Sequence, residues 1–415
     1  MIVFEHADVL DAAAGTLLKD RFVRVEGTTI AAVSDKPLDT TGARVVDARG
    51  KVLMPGLIDC HVHVLASMLN AGRLAKLPNV LTVLRAVPIL QGMLMRGFTT
   101  VRDAAGADWS LAEAVRTGLV QGPKIFPSGR ALSQTGGHGD FRERSDVIEP
   151  CPCTPKIGAI GRVVDGVDAI RRAVREEIQM GATQIKIMAS GGVASPTDPI
   201  HYLGFSEDEI RAAVEEASNA DTYVLAHAYT PKAISRAVRC GVRTIEHGNL
   251  IDADSAKVMA EHGAIAVPTI VTYEALASEG AALGLPPESV AKIENVRSAA
   301  LRSLEIFAAA GVRMAFGTDL LGESHRLQSD EFKLRAGVLG AAETLRAATL
   351  HAAHVLRMDG RLGVVAPGAT ADLLLVDGNP LQDISVLQGQ GEGLAMIVQE
   401  GKVVKGPGAP ALESP

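Results

Sequence analysis

Apolar and polar positions follow three regimes along the chain. Up to about residue 54, short β-type runs at 22–26, 30–33 and 43–47 are separated by turn-forming stretches at 27–29, 35–37 and 47–50. Nothing in this segment has catalytic spacing, and it reads as scaffold. From His61 to about residue 358, short apolar strands alternate with Ala- and Leu-rich helices. The runs 57–64, 99–103, 124–130, 184–190, 222–227, 242–247, 264–269 and 312–319 make eight β units, with helical stretches such as 80–96, 167–180 and 206–220 between them. The last of those helices opens on Ser206 and Glu209, a capping-box pair. Regular βα alternation implies an α/β fold with a parallel sheet, and eight units imply closure into a (β/α)8 TIM barrel. An open doubly wound sheet is the alternative, but it usually carries a Gly-rich phosphate turn after its first strand, where this chain has Asp59, Cys60 and His61. From Gly360 strands return at 371–377 and 395–404. We expect these to join the N-terminal runs in a small β-sandwich (1–54 and 360–405) beside the barrel (55–359), with a disordered tail over 406–415.

Within the first barrel strand, Leu57, Ile58, Val62 and Val64 interleave with Asp59, His61 and His63. A period of two puts both histidines on one face, roughly 6–7 Å apart at the backbone. At that spacing both rings can converge on one ion about 2.0–2.1 Å away. Taken alone, the pair reads equally well as two histidines sharing a barrel interior. In such barrels, however, chemistry sits at the C-terminal strand ends. Those ends carry His61, His63, His227, His247 and Asp319, with Lys186 on strand four, so four of the chain's 11 histidines fall there. Four imidazoles and a carboxylate suit Zn or a similar divalent ion.

Composition narrows the partners. Aromatic residues are only 3%, so the core is built from Ala, Val, Leu and Ile. A net charge of -7 with no basic run argues against nucleic acid as a partner. No apolar run reaches membrane-spanning length; the nearest, 263–273, holds Pro268. The N-terminus lacks a basic region followed by an apolar one, so a cytoplasmic location is expected. Cys151 and Cys153, one residue apart, make a poor zinc knuckle.

Pro55, Gly56, Leu57, Ile58, Asp59, His61 and His63, the strand-four lysine, the histidines ending strands five and six, and Gly317-Thr318-Asp319 together resemble the amidohydrolase superfamily. The tail from Leu362 to Asp372 is similar to that superfamily's C-terminal signature, so the resemblance spans nearly the whole chain. It implies a metal-dependent hydrolase with two divalent ions. His61, His63 and Asp319 would hold one ion, His227 and His247 the other, and a carboxylated Lys186 would bridge them. Lys186 also separates the chain from the mononuclear deaminase-like and imidazolonepropionase-like branches. A free ammonium beside two dications is repelled, whereas a carbamate supplies an anionic two-oxygen bridge. An ordinary buried lysine paired with a carboxylate is the competing reading. Zn is the expected metal, with Mn or Co as alternatives.

His138, within the Gly-rich stretch 133–140, and Tyr229 resemble residues of the Xaa-Pro dipeptidase and carboxypeptidase-like branch, where their equivalents handle the scissile carbonyl and the substrate carboxylate. The resemblance implies attack by a hydroxide held between the ions on the amide of a dipeptide or N-acyl amino acid, ochratoxin-type aryl amides included. Asp319 would relay the proton and the C-terminal amino acid would leave. A cyclic-amide hydrolase and a catalytically silent scaffold barrel are the alternatives. The resemblance also suggests a homo-oligomer. Met188, Val193, Leu203 and Leu320 are expected near the mouth, and His201 and His325 lie in loops on the same face. Gly191 and Gly192 let backbone approach the site or form a simple turn. Arg102 and Asp103 read as a supporting pair, and His6, His262, His351 and His354 as structural residues.

Overall fold

The computed structural model describes residues 1–142, 156–195, 197–285 and 287–409. Cys151 and Cys153 lie outside the described residues, as does the tail beyond Ala409. Two compact units are present: Met1–Asp59 with Gly92–Thr100 and Ser329–Pro415, and Cys60–Gln91 with Val101–Gln328.

In the first unit both chain ends share one eight-stranded sheet. Its seam is the antiparallel pairing of Lys51–Pro55 with Leu373–Asp377, from Leu373 opposite Pro55 to Asp377 opposite Lys51. Alternation decides which side chains go inward: Val23 and Val25, Leu373 and Leu375, and Met396 and Val398 share one core with Phe4, Val9 and Leu53. Each large side chain buried there is worth about 1.5–3 kcal/mol, so strands from the two ends stabilise one another.

The two signature motifs also meet in this unit. Gly56 donates its N–H to the carbonyl of Asp372 (2.8 Å), while the Asp372 carboxylate accepts from Glu400 N (2.7 Å). Gly56 must be glycine because a Cβ there would fall 2.1 Å from Thr99 Oγ1. Gly56→Ala is therefore expected to cost about 1–3 kcal/mol through overpacking, read as a lower urea midpoint with an unchanged slope.

In the second unit six strands form a parallel sheet in the order Gly161–Val163, Ala131–Ser133, Ile185–Met188, Val224–Ala228, Thr244–His247, Ile265–Val267. Leu57–Val62, Phe98–Asp103 and Lys124–Phe126 make a separate three-stranded sheet. The expected strand at 312–319 is reduced to one parallel bridge, Met314 with Ala266. Hydrogen bonds nevertheless tie that segment to both sides: Ala315 N to Ala266 O (2.9 Å) and Cys60 N to Phe316 O (2.8 Å). The Ile265–Val267 strand stops where Pro268 removes a donor from the ladder.

The helices expected at 80–96, 167–180 and 206–220 are Asn79–Met95, Val167–Gln179 and Glu207–Asn219. The Ser206 capping box is formed, with Ser206 N donating to Glu209 Oε2 at 2.6 Å. The helical stretch from Ala341 to Val355 is interrupted by a π turn at Ala347–His351. Two further helices, Val271–Glu279 and Pro287–Ala309, bear on the site. Among the described residues no helix is long and apolar enough to cross a membrane.

Candidate active site

Backbone register brings the ligand-type side chains together. His61 ends a fully buried strand, and its carbonyl accepts from Asp319 N at 2.8 Å, which seats the Asp319 side chain beside it. Asp319 Oδ1 lies 3.0 Å from His63 Nε2 and 3.4 Å from His61 Nε2. His247 adds a third ring, its centroid 4.8 Å from that of His61, and its Nδ1 is bonded to Thr269 Oγ1 at 2.8 Å. His61, His247 and Asp319 each present a ligand atom within 4.8 Å of the others. His227 follows with its ring 4.7 Å from that of His247, and its Nε2 lies 3.2 Å from the carbonyl of Gly191.

Two of these residues sit in backbone conformations that side chains avoid. Asp319 has φ 54° and His247 φ 69°. Left-handed non-glycine residues cost of order 1–3 kcal/mol and persist only where the surroundings hold them.

Lys186 is buried in the middle of Ile185–Met188, one strand away from His227. Burial pushes its ammonium down to about 8, against the attraction of Glu246 and Asp319. Burial also holds His227 and His247 well below the usual histidine range, so both are neutral, the form that ligates metal. Burial alone would raise Asp319, but the His61 and His63 rings hold it well below the carboxylate range. The neutral His227 and His247 imidazoles and the ionised Asp319 carboxylate are of the donor types a divalent cation takes.

A polar network absent from the sequence reading supports His61. Its Nδ1 lies 2.6 Å from Glu246 Oε2, which leaves Nε2 facing Asp319. Glu246 is fully buried, gripped by Arg102 Nη2 at 2.8 and 2.9 Å and by the Thr244 hydroxyl at 2.5 Å. Arg102 also donates from Nε to the carbonyl of Cys60 at 2.6 Å. Burial opposes ionisation of Glu246, yet the Arg102 guanidinium holds it well below the usual carboxylate range. A carboxylate that orients a ligating histidine sets both its tautomer and its basicity. Glu246→Gln is therefore expected to weaken metal retention about 10–100-fold, measured by equilibrium dialysis against a chelator.

Arg102 and Asp103 both support the site, as expected from the sequence, but through different partners. Neighbours on a strand face opposite ways, so Arg102 serves Glu246 while Asp103 accepts from Val64 N (2.8 Å) and Ala107 N (3.0 Å). Burial raises the Asp103 carboxyl to about 6. It pins the turn that follows His63.

His138 and Tyr229 adjoin the cluster. The His138 ring stacks on His227, centroids 4.2 Å apart and planes at 28°, and its Nδ1 lies 2.6 Å from Ser195 Oγ. The Tyr229 ring stands edge-on to His227 at 4.6 Å, and its hydroxyl accepts from the Tyr273 hydroxyl at 2.9 Å. Tyr229, Tyr273, Leu69 and Val193 belong to one apolar cluster, while Met188 packs in another with Leu74 and Ile160. Of the loop histidines, His325 is buried with Nε2 3.2 Å from the carbonyl of Ala66, and His201 is exposed against Tyr202. His6, His262 and His354 make local bonds to Asp20, the Val258 carbonyl and Asp359. His351 stands 3.7 Å from Glu343.

Ser195, Asp198, Thr269, Tyr273 and Glu246 were missed in the sequence. For Glu246 a signal existed: Thr244 and Glu246, two apart, share a face with a buried arginine. For Thr269 and Tyr273 none did, since their partners lie on other segments.

Known proteins bear on this arrangement. The amidohydrolase family model matches residues 52–404. Ochratoxinase of Aspergillus niger is 34% identical over 379 residues, covering 87% of this chain and 77% of that protein. A prolidase crystallised with N-methylphosphonate-L-proline superposes with a TM-score of 0.96 at 61% identity, covering 98% of this chain and 100% of that one. A Xaa-Pro dipeptidase with methionine in its active site gives a TM-score of 0.88 at 28% identity, covering 98% and 100%. With a family match across most of its length, ochratoxinase among its sequence relatives and prolidase and Xaa-Pro dipeptidase among the structures it resembles, this chain belongs to the amidohydrolase family, on its dipeptidase-like branch, and is a hydrolase of amide bonds.

Proposed function

We propose that the chain cleaves the amide bond of dipeptides or N-acyl amino acids and releases the C-terminal amino acid. The observation that carries this reading is the convergence of His61, His63 and His247 on Asp319. In the proposed centre His61, His63 and Asp319 would hold one divalent ion and His227 and His247 a second, with carboxylated Lys186 as a ligand common to both and Zn the first candidate. The hydrogen bonds that join 314–316 to Ala266 and to Cys60 support a closed (β/α)8 barrel around these strand ends.

Bound there, divalent ions supply carbonyl polarisation and a lowered pKa for water. The remaining work falls to the chain's own groups. Asp319 accepts the proton of the attacking water and hands it to the departing nitrogen, which needs an ionised carboxylate in a buried site. His138, with Nδ1 committed to Ser195, has Nε2 left for the scissile carbonyl or the substrate carboxylate. Tyr229 accepts from Tyr273 and so keeps its own proton to donate to a substrate oxygen. Leu69, Val193 and the two tyrosine rings offer an apolar wall for a substrate side chain.

The prolidase and ochratoxinase relatives make proline-ending dipeptides and aryl amides of amino acids the first compounds to try. Elemental analysis combined with a panel of dipeptides, N-acyl amino acids and cyclic amides, following free amine release, tests the proposal. Metal-dependent release of a C-terminal amino acid is expected. Ring opening of cyclic amides alone would favour the rival hydrolase. A metal-replete chain that turns over nothing would favour the scaffold.

A further inference from the structure

After the Ile185–Met188 strand a bridge between Ser190 and Leu203 closes the base of an excursion whose described residues are 191–195 and 197–202. Gly191 N to Tyr202 O (2.9 Å) and Gly204 N to Ala189 O (2.8 Å) complete the neck. Inside it, Asp198 Oδ2 accepts from Gly192 N at 2.9 Å, and Ser195 Oγ lies 2.6 Å from His138 Nδ1. Asp198 Oδ2 stands 3.6 Å from the same ring nitrogen. Gly192 presses bare backbone on the imidazole: a Cβ there would lie 2.1 Å from His138 Cε1. The ring is thus held between Gly192 on one side and the His227 ring on the other.

A lysine side chain also holds the excursion from outside. Lys292, on the helix Pro287–Ala309, donates to the carbonyls of Gly192 (2.9 Å), Ser195 (2.9 Å) and Asp198 (2.7 Å). An ammonium has three donors, and here each goes to a backbone carbonyl of the same excursion. The residues that supply those carbonyls are the ones that touch His138 or support its partners.

We propose that the excursion is a clamp on His138 and that Lys292 is the positioning residue that keeps it shut. The catalytic consequence rests on the amide-hydrolase reading above; the mechanical one does not. Without the ammonium three carbonyls lose their donor, Gly192 retreats from the ring, and Ser195 no longer fixes which nitrogen is protonated. A catalytic group misplaced by about 1 Å can cost about 100-fold in rate.

The test pairs kinetics with a direct view of the ring. Lys292→Met is expected to lower kcat/KM about 100-fold in the native background and to cost nothing further in a His138→Asn background. Equal losses in both backgrounds would show a merely structural role and overturn the proposal. In parallel, protein carrying 15N-histidine reports the His138 ring nitrogens, assigned by their disappearance in His138→Asn. The native ring is expected to show one fixed tautomer, with Lys292→Met and Ser195→Ala both giving an averaged one. Unchanged resonances in both variants would refute the clamp even if amide hydrolysis is found. Averaged resonances in a protein that cleaves none of the panel would sustain the clamp and reject the proposed function. Should Lys292→Met fail to fold, Ser195→Ala carries the ring measurement by itself, since it removes one hydroxyl only.

Discussion

Replacing Asp319 with asparagine is expected to lower kcat by about 10²–10⁴-fold while bound metal is retained. Asparagine keeps the shape and the Oδ1 acceptor that lies 3.0 Å from His63 Nε2, so the two imidazoles still meet an oxygen there. What it cannot do is take up a proton at the second oxygen and release it to a leaving amine. The neighbouring rings hold the native carboxylate ionised despite its burial, the form that can accept a proton. The measurement is turnover on the best dipeptide together with metal content of the same preparation. Near-native kcat would remove Asp319 from the proton path, and loss of metal would recast it as a ligand alone.

The second large effect is expected from Lys186→Ala, which should cost the protein a metal ion and most of its activity. Lys186 is 1% exposed, placed one strand from His227 and within the fields of Glu246 and Asp319. A buried ammonium would repel two cations, whereas its carbamate would hold both. Alanine leaves a gap the length of the missing chain, so acetate or propionate should restore part of the activity. Elemental analysis that finds two ions per chain in the variant would count against the bridge. Emptying a buried position also costs about 2–5 kcal/mol, so the folded fraction has to be measured beside activity.

Much of the site was legible because strand geometry is simple. His61 and His63 share a face by alternation, and their partners could be located by asking which residue ends each β run. His227, His247 and Asp319 were reached in this way, whereas Lys186, inside its run, gained its meaning from the resemblance to the amidohydrolase superfamily. The single mixed sheet was half legible: both ends read as β, but no local pattern says that Leu373 lies opposite Pro55. The run at 312–319 was read as a full strand on its apolar content, whereas a single bridge at Met314 is all that forms. Arg102 and Asp103 were legible as supporting residues, but not their separate partners, which follow from strand neighbours facing opposite ways.

The sequence by itself determined which donors exist and on which strands they sit, since side-chain identity and period-two alternation are local properties. Only the tertiary structure decided how those donors are aimed. Glu246 reaches His61 from 185 positions away, Thr269 turns His247, and Lys292 grips an excursion nearly a hundred residues before it. His247 and Asp319 also stand in left-handed backbone, a conformation that persists where surrounding contacts hold it. Aim depends on hydrogen bonds between segments distant in the chain, and such bonds acquire a partner only once the strands have packed.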